Sequence, residues 1–161
     1  MASSRHILYL SGLLHLGLTL QCGGQRIFTD VTVEVKSLEE LYPGEFEGER
    51  VELLRNEEKR NFGAAEHILG LYGSLLSLEA WDFNEKEKAA QLWQSLVEEK
   101  RSQKLRNFSF ERDKELRFDY ETEEGYRGLI FTNTGFLFSL EAKSDILLRK
   151  FIGQSKIARL E

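Results

Sequence analysis

The feature that most constrains this chain is the way residues 107–140 are cut into short stretches separated by turns. Within residues 114–122, Leu116, Phe118 and Tyr120 alternate with Glu115, Arg117, Asp119 and Glu121, the period of two that a half-buried strand requires. Residues 107–112 read as a strand before it. Glu123-Glu124-Gly125-Tyr126 makes a turn, residues 127–132 return, Asn133-Thr134-Gly135 turns again, and residues 136–140 form the next strand. Short strands joined by glycine-bearing turns predict an antiparallel meander.

A sheet with one apolar face needs a second layer, and the helical spacings supply it. Asn84 stands as an N-cap with Glu87 three residues on, and Ala89, Leu92, Trp93, Leu96 and Val97 then share one stripe of a helix running to about residue 106. Ser144 opens a last helix carrying Ile146, Leu147, Leu148, Phe151 and Ile152, closed by Gly153. Ala64, Ala65, Ile68, Leu69 and Tyr72 also fall at helical spacing, with Gly73 placed to end the helix and His67 partly exposed on it. Residues 74–83 are short and apolar and read as a strand. Residues 26–36 alternate cleanly, Ile27, Thr29, Val31, Val33 and Val35 opposing their neighbours, and predict another strand. Tyr42-Pro43-Gly44 is a turn signal, and residues 49–55 make a second, shorter strand. The expected fold class is α+β: an antiparallel sheet or meander with two or three helices packed on one face, preceded by a signal-peptide helix.

That helix is residues 7–20, the most apolar part of the chain, with Arg5 ahead of it and Gln21-Cys22-Gly23-Gly24 behind. Fourteen residues are short of the roughly 20 that span a bilayer, and the order of charge, apolar run and cleavage region fits an export signal. Leu18-Thr19-Leu20-Gln21-Cys22 resembles the lipobox of bacterial lipoproteins, in the relaxed form of spirochaetes. Thr19 and Gln21 stand where that box usually has leucine and a small residue, with Leu18 one place further out. The resemblance implies that residues 1–21 are cleaved, that the Cys22 sulfur receives a diacylglyceryl group, and that residues 22–161 form a single α+β domain on a short N-terminal tether. An ordinary cleaved signal with a free Cys22 thiol, or an uncleaved first helix packed on the domain, are the alternatives.

The implied location is the bacterial cell envelope, lipid-anchored to a membrane. By resemblance to enterobacterial sorting, Gly23 after the cysteine points to the outer rather than the inner one. Gly63-Ala-Ala-Glu66, followed by strand, helix, meander and helix, is similar in order to an uncharacterised family of secreted bacterial α+β domains. That resemblance covers most of residues 45–153 and carries no activity with it.

The chain offers little chemistry. Its single cysteine excludes an internal disulfide and a cysteine-based zinc cage. Only Arg5 among the basic residues precedes position 22, so the remainder carries a net charge of about −6, which disfavours nucleic acid as a partner. No nucleophile elbow, dinucleotide fingerprint, phosphate loop or His-Glu-x-x-His motif is present. His67 beside Glu66 fails as a helical dyad, because adjacent helix positions do not face each other. Asp113, Glu115, Asp119, Glu121, Glu123 and Glu124 are interleaved with Arg112, Lys114, Arg117 and Arg127, a pattern of cross-strand pairing rather than of a calcium loop.

No catalytic residue, metal ligand or cofactor is therefore expected. The function expected is a non-enzymatic interaction or structural module held on a membrane by its lipid, with an envelope protein as partner. The alternatives are binding of a small apolar ligand in a gap near Trp81, Trp93, Phe136 and Phe138, or hydrolysis through His67 or an acidic pair.

Overall fold

A computed structural model describes residues 26–55, 58–112 and 115–161; the predicted signal helix, Leu18–Gln21 and Cys22 lie outside them. In chain order the elements are β1 (Ile27–Phe28), a 3₁₀ turn (Leu38–Leu41), β2 (Glu45–Phe46), β3 (Glu49–Arg50), β4 (Glu52–Arg55) and α1 (Glu58–Asn61). There follow β5 (Glu66–Tyr72), β6 (Leu76–Asp82), α2 (Lys86–Arg101), β7 (Leu105–Arg112) and β8 (Leu116–Thr122). The chain closes with β9 (Arg127–Asn133), β10 (Phe136–Ala142), α3 (Asp145–Gln154) and β11 (Arg159–Leu160).

Seven strands form one sheet in the order β4-β5-β6-β10-β9-β8-β7, every neighbour antiparallel. The meander β7-β8-β9-β10 is the one read from the turns, and the fold is α+β. β6 joins β10 to bring a second antiparallel group, β4-β5-β6, onto the same sheet. β1 pairs with β11, and β2 with β3, as separate two-stranded ribbons.

Register separates the two faces. Ile68, Ala80, Phe138 and Phe131 stand in one row across four strands, and His67, Trp81, Leu137 and Thr132 in the next. Successive strand residues point to opposite faces. The first row packs with Leu38, Leu41, Tyr42 and Phe46 from the N-terminal segment and with Leu148, Phe151 and Ile152 of α3. The face of the second row takes Ala89, Leu92, Trp93 and Val97 of α2 against Trp81, Leu137, Ile130, Phe118 and Tyr120. The sheet is thus covered on both sides, each face by its own helix, where the sequence had suggested helices on one.

Three further differences have physical causes. Residues 66–72, predicted as the end of a helix, are β5, a strand buried on both faces; its apolar residues run together instead of alternating. Residues 27–36 keep the predicted alternation of burial, yet among the described residues only Ile27 and Phe28 gain a ladder partner. Asn84 has a left-handed backbone (φ 54°), so Glu85 occupies the N-cap position of α2, and the helix ends at Arg101. Ser144 caps α3 as expected, its side chain accepting from the Leu147 N–H.

Candidate functional site

An open groove of about 590 Å³ lies between β1, β8, β9 and the start of α3. Its walls carry Arg26, Arg117, Asp119, Arg127, Asp145 and Arg149. Strand alternation puts Arg117 and Asp119 on the face away from α2, two residues apart, so their side chains meet. The Arg117 guanidinium donates to both oxygens of Asp119, Nε to Oδ2 at 2.7 Å and Nη2 to Oδ1 at 2.8 Å. It also donates to the Ile27 carbonyl, tying β1 to the sheet. Burial alone would lower the pKa of this guanidinium; the bonds to Asp119, its charge and that of Glu111 outweigh burial and raise it above the ordinary arginine value.

Asp145, in the first turn of α3, receives Arg149 at 2.6 Å and Arg127 at 3.7 Å. Arg127 turns its other side to Glu121 at 3.1 Å, and Arg106 reaches the same carboxylate at 3.1 Å. The Glu121 pKa is lowered, first by the Asn107 amide that bonds it and then, against desolvation, by Arg127 and Arg106. The groove is therefore lined by charges of both signs that already answer one another. Its lining combines arginines with the carboxylates of Asp30, Glu111, Glu115, Asp119 and Asp145.

Of the acidic residues of the meander, Glu121 makes the expected cross-strand pairs, to Arg106 and Arg127. Asp119 and Glu121 face arginines, and Glu115 accepts from the Thr132 hydroxyl at 3.2 Å; Asp113 lies outside the described residues. Among the described residues, no group of three or more histidine, cysteine, aspartate or glutamate side chains is arranged to hold a metal ion.

His67 is not the partly exposed helix residue expected. It is a fully buried member of β5, and its partner is Glu79 of β6, not its neighbour Glu66. Alternation sends Glu66 to the opposite face, where it accepts from the Leu38 N–H at 2.9 Å. Nε2 of His67 lies 2.9 Å from Glu79 Oε1, and the imidazole stacks on the Trp81 ring at 5.3 Å. Arg60 of α1 closes over this pair, donating through Nε and Nη2 to the two Glu79 oxygens at 2.7 and 2.6 Å. Trp81 Nε1 donates to the Arg60 carbonyl at 2.7 Å. Histidine and carboxylate are the ingredients of a general-base pair, and here the His67 side chain presents no surface to solvent. The cluster fastens α1 to the part of the sheet that α2 does not cover. Its long-range partner was invisible at the helical spacing assigned to residues 64–72.

Trp81, Trp93, Phe136 and Phe138 do not line one gap. Trp93, carried by α2, packs with Trp81 on one side of the sheet, and the two phenylalanines pack on the other. Trp93 Nε1 donates to the Ile130 carbonyl at 3.0 Å, as a core tryptophan does.

A feature the sequence reading missed lies at the sheet's free edge. On β7, Phe108 is 54% exposed, with Arg101 5.9 Å from its ring centroid; Arg112 sits 5.8 Å from Phe110 and 6.0 Å from Trp93. The density of lysine and arginine between residues 100 and 112 was the signal available for it. No family model, curated protein or solved structure matches the chain.

Proposed function

We propose that this chain is a lipid-tethered domain of the bacterial envelope, anchored through Cys22, that works by binding rather than by chemistry. The observation that carries the reading is one of order: a charged start, an apolar run, Leu18-Thr19-Leu20-Gln21-Cys22, and then a domain whose first described residue is only four positions on. Four residues span at most about 14 Å, so β1 and the groove beside it would stand close to the headgroups. Each buried acyl methylene contributes about 0.8 kcal/mol, and two or more chains hold a protein on a membrane stably. The binding reading is supported by the character of the described concavity and the buried position of His67: charged side chains for recognition, and a histidine–carboxylate pair whose imidazole presents no surface to solvent.

The test is the N-terminal mass of the protein recovered from membranes. The expected result is a chain beginning at Cys22 with diacylglyceryl and amide-linked acyl groups, together with loss of membrane retention in Cys22→Ala. An intact Met1 or an unmodified Cys22 thiol overturns the tether. Turnover of a substrate by the domain, with no partner retained from envelope extracts, overturns the binding role.

A further inference from the structure

The sheet ends in two strands that pair on one side only among the described residues, β4 and β7, and their surroundings carry opposite charge. Around β7 the exposed charged side chains are Arg101, Lys104, Arg106 and Arg112, with Glu111 the single acid of the strand. Around β4 they are Glu45, Glu47, Glu49 and Glu52, against Arg50 and Arg55. Arg101, Lys104 and Arg112 form no ion pair among the described residues, nor do Glu45, Glu49 and Glu52.

We infer that the two edges are complementary docking surfaces for copies of this chain, β7 of one copy receiving β4 of the next. Like charge opposes a two-fold contact of β7 with β7, and of β4 with β4, because cross-strand charges of one sign repel. Opposite charge favours the head-to-tail contact, which repeats as an open row instead of closing as a dimer. Geometry is compatible. With seven strands all antiparallel, β4 and β7 run in the same direction, so a copy added without inversion pairs them in parallel and keeps each face continuous. Phe108 and Leu54 belong to the same face, that of His67 and Tyr120. A register that sets Phe108 beside Leu54 of the next copy covers this exposed ring. Charges on a sheet edge can also serve only to prevent association, and that is the outcome the experiment must exclude.

The inference names a partner for the binding role proposed above and does not rest on lipidation. The experiment uses the full chain in phospholipid vesicles, with a benzophenone amino acid in place of Phe108 and equal amounts of ¹⁴N- and ¹⁵N-labelled protein. The expected product joins the β7 peptide of one isotope to a peptide containing Glu52–Arg55 of the other. Its yield falls several-fold when salt rises from about 0.05 to 0.5 M, since exposed charges are screened over that range.

Two charge variants sharpen the test. Lys104→Glu with Arg112→Glu makes both edges acidic, and Glu45→Lys with Glu52→Lys makes both basic; each should fail to crosslink alone, and mixing the two should restore the product. No crosslink between isotopes, a crosslink to another segment, or a product that persists in either variant alone overturns the inference. A chain without acyl groups that still crosslinks leaves it standing while removing the tether; a lipidated chain that does not crosslink removes it alone.

Discussion

Oε1 of Glu79 stands 2.9 Å from Nε2 of His67 on the inner side of β6. The same carboxylate takes two bonds from Arg60, whose side chain is half exposed. Removing this carboxylate takes a hydrogen-bond partner from Arg60 and from an imidazole nitrogen with no access to water. Glu79→Ala is therefore expected to cost about 2–4 kcal/mol, the range for breaking a buried pair from one side. Arg60→Ala should cost no more than about 1 kcal/mol, because a half-exposed cation gains little from pairing and Trp81 bonds to the backbone carbonyl of residue 60, which the substitution keeps. Urea unfolding of both variants checks the order. Equal losses would show that the bridge to Arg60, and not the buried contact, carries the energy.

Tyr120 lies flat over Gly128 of the neighbouring strand. A Cβ at position 128 would fall 1.9–2.3 Å from the outer ring atoms and hydroxyl of Tyr120. The ring has little room to yield: it is buried, and its hydroxyl donates to Glu141 at 2.6 Å. Gly128→Ala should destabilise by about 1–3 kcal/mol, the usual cost of overpacking. In a Tyr120→Leu background most of that penalty should vanish, and a double-mutant cycle measures the coupling. Full additivity would mean that the glycine is needed for its backbone alone.

The meander was legible because its strands alternate and its turns carry glycine or asparagine, both local signals. β5 was not. With Tyr42 laid against Gly70 on one face and Glu79 bonded to His67 on the other, both sides of β5 are occupied. A strand buried on both sides has no reason to alternate, and an apolar run of this length does not distinguish helix from strand. Once β5 was misassigned, the pairing of His67 with Glu79 was lost with it, since that contact depends on register between two strands. Residues 27–36 show the converse: alternation reports which side chains turn inward, and only a partner chain at hydrogen-bonding distance makes a ladder of them. The mixed-charge groove needs β1, β8, β9 and α3 together, and no local pattern specifies such a meeting.

The cap of α3 was read from Ser144 and is present, its Oγ accepting from the Leu147 N–H at 3.3 Å. Asp145 in the first turn adds a favourable charge at the same end. Ser144→Ala should cost about 1 kcal/mol, and Ser144→Asp should restore most of it. Thermal unfolding of the three proteins decides. No loss in Ser144→Ala would mean that packing of Leu148, Phe151 and Ile152 alone sets the start of the helix.

Glu141 connects the sheet to the end of α2 and makes stability depend on pH. Burial pushes its pKa up, but Lys100 donating at 2.7 Å, Tyr120 donating at 2.6 Å and the charge of Lys100 together bring it below the ordinary glutamate value. A carboxyl with a lower pKa folded than unfolded binds fewer protons in the folded state. Its contribution is complete above the unfolded pKa of about 4.3 and is lost as pH falls through the folded pKa. Glu121 on β8, held low by Asn107, Arg127 and Arg106, acts in the same direction. Glu141→Gln should therefore lower the urea midpoint at pH 7 and reduce its decline between about pH 5 and pH 3, where the linkage operates. The two curves should converge at the acid end, where wild-type Glu141 has become protonated. If the variant kept the full acid slope of the wild type, Glu141 would not be a source of the pH dependence, and the Lys100–Glu141–Tyr120 contact would be a packing feature alone.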